Sequence, residues 1–138
     1  MSKIIKHLTR TVSVLIPLAA IGAAPAPGAA TKAKPVKLCG WVVNPTPGNW
    51  SLIDRRGEWE MGQQGGYQAP GLDKLPDFSA KQWVATNRSY GYGCGCLTAD
   101  INVKTKRVTR IYGATQQKLA VCRSDKKLPR PYGLREAS

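Results

Sequence analysis

The seven residues Tyr90–Cys96, Tyr-Gly-Tyr-Gly-Cys-Gly-Cys, constrain the fold more than any other stretch of this sequence. Successive side chains of a β-strand point to opposite faces, so the tyrosines and cysteines share one face while glycines leave the other bare. Apolar side chains then fill the bare face at Leu97, Ala99, Ile101 and Val103. The pattern predicts one long strand with a cysteine face and a glycine face, and the glycine face has room for a tryptophan ring.

The beginning of the chain has the pattern of a secretion signal. Basic residues precede an apolar run at 12–24 that is shorter than the roughly 18 residues of a membrane span, and small residues then offer a cleavage site after Ala30. We therefore expect a periplasmic or secreted protein with no transmembrane anchor after signal removal. The predicted boundaries are a signal peptide at 1–30, a linker at 31–38, a single β domain at 39–128 and a basic tail at 129–138.

Four cysteines in an exported chain predict two disulfides. A bond between Cys94 and Cys96 would violate the usual Cα separation of a disulfide, so each must pair with Cys39 or Cys122. We expect Cys39–Cys94 and Cys96–Cys122, with the crossed pairing as the alternative. A redox role is disfavoured because neither a histidine nor a helix start lies nearby in sequence to lower a thiol pKa.

Histidine chemistry is excluded from the mature chain, because the single histidine, His7, belongs to the predicted signal. No Ser-His or Cys-His pair can form, and the one-residue spacing of Cys94 and Cys96 is too short for an ordinary zinc knuckle. We expect no catalytic residue, no metal site and no cofactor.

Carboxylates offer an alternative to this expectation. Glu58 and Glu60 share a strand face at about 7 Å, close to the separation of paired glycosidase carboxylates. Asp73 and Asp77 lie in a glycine- and proline-rich segment, where turn chemistry explains them. The alternative function is a small cell-wall-acting hydrolase that uses Glu58, Glu60 and Asp73.

The charge is strongly positive. Beyond residue 30 the chain has 18 lysines and arginines against 8 acidic residues, and most of the excess follows residue 99. Such a charge favours anionic partners, which outside the cytoplasm means an anionic envelope polymer or an acidic exported protein. The basic tail lacks the pattern of a nucleic-acid-binding module, so we expect no nucleic acid partner. The sequence predicts nothing about the oligomeric state.

Short alternating segments and turn residues predict a mainly β fold. Asp54-Arg-Arg-Gly57 is typical of a hairpin, while two prolines and a glycine at 44–49 predict a turn. Residues 62–78 show no periodicity and predict a long loop. We expect a small antiparallel sheet, rolled or partly closed, with two disulfides and at most one short helix. The predicted strands are 39–43, 50–54, 58–61, 82–86, 90–103 and 107–112, with a helical turn at 119–125.

Aromatic residues supply both the core and a candidate ligand site. We expect Trp41, Trp59 and Trp83 to be mainly in the core, because the chain has few other large apolar residues. Trp50 follows a proline-rich turn and is a better surface candidate. The predicted ligand-binding cluster joins it to three tyrosines near the long loop, and its members are Trp50, Tyr67, Tyr90 and Tyr92.

Several motifs together resemble a family of small exported bacterial proteins known as a domain of unknown function. They are Cys-Gly-Trp at 39–41, Asn-Pro-Thr-Pro-Gly-Asn-Trp at 44–50, Asp-Arg-Arg-Gly-Glu-Trp at 54–59, Gln-Gly-Gly-Tyr at 64–67 and the segment 84–96. The resemblance covers about 39–128. It implies a bacterial envelope or secreted setting and carries no activity, cofactor or catalytic residue.

Together these observations predict a non-enzymatic, envelope-associated binding or structural module. Besides the hydrolase, an exported inhibitor or immunity-type protein is an alternative. A lysozyme-type inhibitor is disfavoured because this basic chain would repel a basic enzyme.

Overall fold

A computed structural model describes residues 34–131, which are mainly β, as the sequence predicts. The predicted signal peptide, the first residues of the predicted linker and most of the predicted basic tail lie outside the described residues. In the described part, no helix is long and apolar enough to cross a membrane. The elements are β1 (Val36–Thr46), β2 (Asn49–Asp54), β3 (Gly57–Gly62), β4 (Trp83–Asn87), β5 (Tyr90–Asn102), β6 (Arg107–Gln117) and α1 (Leu119–Ser124), with 3₁₀ turns at Leu72–Lys74 and Phe78–Ala80.

The six strands form one sheet that rolls up into a barrel. β1 pairs antiparallel with β2 on one side and with β5 on the other, and the order β1-β2-β3-β6-β5 returns to β1. The closing contact, between β3 and β6, is parallel and rests on the pair Glu60 and Arg107. Five strands connected in this order form the Greek-key barrel of OB-folds, and β4 is an additional strand on β5.

The glycine face of β5 points into this barrel and receives an aromatic ring, as the alternation predicts. The principal ring is that of Phe78, from the long loop, rather than a tryptophan. A Cβ at Gly95 would lie 2.8 Å from two Phe78 ring atoms, and a Cβ at Gly93 would lie 3.2 Å from the same ring and 3.1 Å from Trp83. Glycine is therefore required here by close approach, not by a special backbone conformation.

The barrel interior is filled by side chains from every strand of the closed ring. Trp59 and Met61 of β3 point inward and are fully buried, which confirms the predicted alternation of this arm. Loop residues Ala69 and Phe78 complete the interior. The remaining buried members of this core are Leu38, Val42, Leu52, Leu97, Ala99, Val108 and Ile111.

Two register shifts explain why β6 does not alternate cleanly in sequence. Ala99 pairs with Ile111 and Thr98 with Gly113, so Tyr112 is an extra residue, and a second shift leaves Thr109 extra. Bulges of this kind restore the inward direction after an irregular spacing. Val108 and Ile111 are consequently both buried although they are three residues apart.

The structure corrects the boundaries of β1. The strand begins at Val36, so residues 36–38 belong to the sheet and not to the predicted linker. The predicted turn at 44–49 is too long, because β1 continues through Pro45 and only Pro47 and Gly48 separate it from β2. The register shifts between Val43 and Thr46, and such an irregularity accommodates a proline, which cannot donate to the ladder.

The expected disulfide pairing is wrong, and the crossed alternative is correct: the bonds are Cys39–Cys96 and Cys94–Cys122. The register of β1 on β5 decides the pairing, because Cys39 lies directly opposite Cys96 at a Cα separation of 4.1 Å. Trp41, not a cysteine, is opposite Cys94. Cys94 is therefore left to bond with α1.

The cysteine face of β5 carries a second, smaller apolar cluster outside the barrel. Cys94 and Tyr92 pack there with Trp41, whose ring meets that of Tyr92 edge to face at 5.3 Å. Cys122 of α1 and Leu128 cover this cluster. The Cys94–Cys122 bond thus fastens the C-terminal segment to the central strand.

Candidate functional site

The long loop between β3 and β4 is held against the barrel by backbone and side-chain hydrogen bonds. The Ala69 amide donates to the Met61 carbonyl at 2.8 Å, and the Ile111 amide donates to the Pro70 carbonyl at 2.8 Å. At the far end of the loop, the Gln116 amide group donates to the Phe78 carbonyl at 2.8 Å. A loop of this length in so small a domain is usually functional, and these bonds give it a fixed shape.

This loop, β4 and the start of β5 line an open candidate site, which we call the aromatic pocket. Its volume is about 570 Å³, within the range of roughly 300–1,000 Å³ that is usual for small-molecule sites. Four aromatic rings line it together with carboxylate, amide and hydroxyl groups. Its lining residues are Asn44, Trp50, Leu72, Asp73, Leu75, Pro76, Asp77, Phe78, Ser79, Trp83, Ser89 and Tyr90.

Two of the rings are fixed by the fold. Phe78 is buried by its seat on the glycine face, and the Trp83 ring lies 6.5 Å from it, between centroids, at an angle of 47°. The Trp83 indole N–H donates to the Ser89 carbonyl at 3.0 Å across the β4–β5 turn. The rings therefore form a preformed apolar wall rather than a flexible surface.

The aromatic pocket is acidic within a basic protein. Among its lining residues, Asp73 and Asp77 are the only charged ones. The Asp77 side chain accepts a hydrogen bond from the Ser79 amide at 3.0 Å and so begins the second 3₁₀ turn, which confirms the turn role expected for it. Asp73 makes no such bond in the described residues and is exposed. Asp73 is thus the available carboxylate for a ligand.

The four residues of the predicted ligand cluster do not all meet. Trp50 and Tyr90 line the aromatic pocket. Tyr67 lies elsewhere on the loop, donates its hydroxyl to the Val108 carbonyl at 2.9 Å and stacks under Arg107. Tyr92 is buried in the outer cluster, where burial raises the pKa of its phenol.

Phe78 and Trp83 line the pocket but are not members of the predicted ligand-binding cluster. Trp83 was expected in the core, and it is only half-buried, with its ring shared between the core and the pocket. Phe78 lies in a segment without periodicity, so no pattern indicates its direction. The one sequence feature that points to Phe78 is the bare glycine face of β5, because a ring from elsewhere in the chain must fill the space there.

A second cavity, which we call the glutamate cavity, lies on the outer face of β2 and β3. It measures about 360 Å³, and Glu58 and Glu60 both line it beside Trp50. Glu60 forms an ion pair with Arg107 at 2.7 Å. Asp73 lines the aromatic pocket instead, so the three carboxylates of the hydrolase alternative do not share one cavity.

Within residues 34–131, no group of three or more potential metal-ligating side chains comes together. All four cysteines are engaged in the disulfides. The described side chains therefore offer hydrogen bonds, stacking and charge, but no multidentate metal centre.

Residues 33–129 match the family described as "Protein of unknown function (DUF4087)". No curated protein and no solved structure matches the chain. The match covers the whole barrel, the long loop and α1, and thus every residue of the aromatic pocket. On this evidence, the chain belongs to the DUF4087 family of proteins of unknown function.

Proposed function

We propose that this protein is a non-enzymatic, exported module of the bacterial envelope that binds a sugar unit of an envelope polymer in the aromatic pocket. The observation that carries the proposal is the combination of four aromatic rings with polar edges in one preformed pocket. Aromatic rings offer large, rigid contact area, and a few placed polar groups then fix the orientation of a ligand.

A sugar ring matches both kinds of surface in the pocket. Its C–H faces can stack on Tyr90 and Trp50, while its hydroxyls can meet the Asn44 amide, the Ser89 segment and the Asp73 carboxylate. The absence of lysine and arginine from the lining favours a neutral or amine-bearing sugar over an acidic one at this position.

Export and envelope association are supported by separate features. The two disulfides are typical of proteins in an oxidising compartment, and the first 30 residues have the pattern of a signal. The excess of positive charge favours an anionic envelope polymer as the wider partner, with an acidic exported protein as the other anionic candidate.

The test is binding of the purified protein to insoluble cell-wall glycan and to soluble glycan fragments. Tyr90→Ala should weaken binding about five- to tenfold, since one aromatic contact contributes roughly 1 kcal/mol beyond its buried area. Tyr112→Ala is the matched control, because Tyr112 is an exposed tyrosine outside the pocket. Equal binding by both variants would remove the aromatic pocket as the site.

The glutamate cavity supports a second candidate, a small cell-wall hydrolase. Glu58 and Glu60 line one cavity with Trp50, on the face of β2 and β3 where OB-folds bind oligosaccharides. This candidate function is carried over from the fold class by analogy.

Release of soluble fragments from purified cell wall distinguishes the two candidates. If the hydrolase candidate is right, Glu58→Gln combined with Glu60→Gln abolishes release, and Asp73→Asn, in the other cavity, leaves it unchanged. Binding without any release by the original protein favours the non-enzymatic module. Release that persists in the double variant excludes this pair as catalytic groups.

A further inference from the structure

A further cavity, with a different charge, lies on the outer side of the sheet, where α1 and the segment after it pack near Trp41 of β1. We call it the basic cleft, and its volume is about 470 Å³. Trp41 and Leu128 supply apolar walls, while Arg123, Lys126 and Arg130 supply positive charge. It shares no lining residue with the aromatic pocket.

The cleft is built on a fixed frame. The Cys94–Cys122 disulfide anchors α1 to β5, and Trp41 and Leu128 are both buried. Two backbone hydrogen bonds shape the following turns, from the Asp125 amide to the Cys122 carbonyl at 3.3 Å and from the Leu128 amide to the Asp125 carbonyl at 3.0 Å. Arg123 and Lys126 therefore lie on a segment that is held at Cys122 and at Leu128, and Arg130 follows two residues later.

The positive charge of the cleft is not used by the fold. Arg123, Lys126 and Arg130 are exposed, and none of them forms an ion pair with any residue between 34 and 131. The one acidic residue in the lining, Asp125, is engaged by Arg55 at 2.8 Å and by the Lys127 amide at 3.0 Å. Its charge is therefore compensated, and the cleft stays positive.

The shape and the donors together select the ligand chemistry. Guanidinium groups bind phosphate with two parallel hydrogen bonds, and an ammonium group adds a point charge. A concave cleft with an aromatic wall fits a single group on a flexible chain better than the flat surface of a bilayer. We propose that the basic cleft binds phosphate groups carried on an anionic envelope polymer.

This site is independent of the sugar-binding proposal and would be occupied by a different part of the polymer, or by a different polymer. Its failure is distinguishable, because a variant of the cleft leaves Tyr90 and the aromatic pocket intact.

The experiment measures binding of linear polyphosphate to the protein at moderate salt. The cleft variant is Arg123→Gln/Lys126→Gln/Arg130→Gln. The control is Arg88→Gln/Lys81→Gln/Arg110→Gln, which removes the same residue types and the same charge from exposed positions outside the cleft. We expect at least about a tenfold loss in the first variant, because hydrogen bonds between charged partners are the stronger ones, and a much smaller loss in the control.

Three results would overturn the proposal. Equal loss in both triple variants would mean that only the net charge matters. In NMR titrations of the original protein with polyphosphate or inorganic phosphate, the changes in backbone amide chemical shift must cluster near Arg123 and Lys126. Changes elsewhere would contradict the site, even if the cleft variant fails to fold. The third experiment compares binding to vesicles of phosphatidylglycerol and of phosphatidylcholine. If the protein binds vesicles through the cleft and does not bind polyphosphate, the partner of the cleft is a membrane and not a polymer.

Discussion

Replacing Gly95 by alanine tests whether the bare face of β5 is the seat on which the barrel and the aromatic pocket are built. The added methyl group would lie 2.8 Å from two ring carbons of Phe78 and 2.9 Å from the Thr115 carbonyl oxygen. Ordinary contacts between carbon atoms are about 3.5–4.0 Å, so the ring and the β6 backbone must both move. Overpacking of this kind costs about 1–3 kcal/mol, and the reduced freedom of the unfolded chain returns about 0.4–1 kcal/mol.

We therefore expect Gly95→Ala to lower the free energy of unfolding by about 1–2 kcal/mol in urea titrations with the disulfides intact. Gly113→Ala is the matched control, because nothing lies within 4 Å of a Cβ at Gly113 in the neighbouring strand. It should be neutral or slightly stabilising. The reasoning is refuted if the two variants are equally stable, or if shortening the ring with Phe78→Leu fails to relieve part of the Gly95→Ala defect.

Further predictions concern acid stability and the disulfides. Burial raises the pKa of Asp54, but hydrogen bonds from the Arg56 side chain and amide outweigh it and hold the pKa below its usual value. A lowered pKa stabilises the fold above about pH 4, and this contribution is lost as the pH falls. Asp54→Asn should therefore reduce the free energy of unfolding by about 1 kcal/mol at neutral pH and by less in acid. Thermal unfolding at a series of pH values measures the difference. Removing the Cys39–Cys96 disulfide, which spans 57 residues, should lower the free energy of unfolding by up to about 4 kcal/mol. Removing Cys94–Cys122, which spans 28 residues, should lower it slightly less, because the closed loop is shorter. Urea titrations of the two Cys→Ser pairs measure both losses, and the reverse order would contradict loop closure as the cause.

The strands of this fold are largely legible from the sequence, because alternation is a local property. In β3 the alternation Glu58-Trp59-Glu60-Met61 shows which side chains face the core and which face outward. The glycines of β5 indicate that another group packs closely against that face of the strand. The predicted disulfide pairing is wrong because the pairing depends on the register of β1 against β5. A shift of two residues in this register would place Cys94 instead of Cys96 opposite Cys39. Nothing local to either strand determines that register.

The candidate site was only half predictable for a related reason. Trp50 is the second residue of β2 and Tyr90 is the first residue of β5, and both line the pocket beside a turn. Tyr92 differs from Tyr90 by one strand repeat, yet it is buried under Trp41 by α1, which is distant in sequence. Phe78 belongs to an aperiodic loop whose path is set by hydrogen bonds to β3 and β6. Such contacts arise only when the chain is folded.

The two proposed sites depend on opposite faces of the same strand. The glycine face of β5 seats Phe78, which lines the aromatic pocket, while Cys94 on the other face fastens α1 and so shapes the basic cleft. Displacing Phe78 with Gly95→Ala should therefore weaken glycan binding and leave polyphosphate binding nearly unchanged. Releasing α1 by replacing Cys94 and Cys122 with serine should do the opposite, because the cleft loses its frame while the ring keeps its seat. If either variant weakened the binding of both ligands equally, β5 would act as a single structural support. The proposal that its two faces support two separate binding sites would then be wrong.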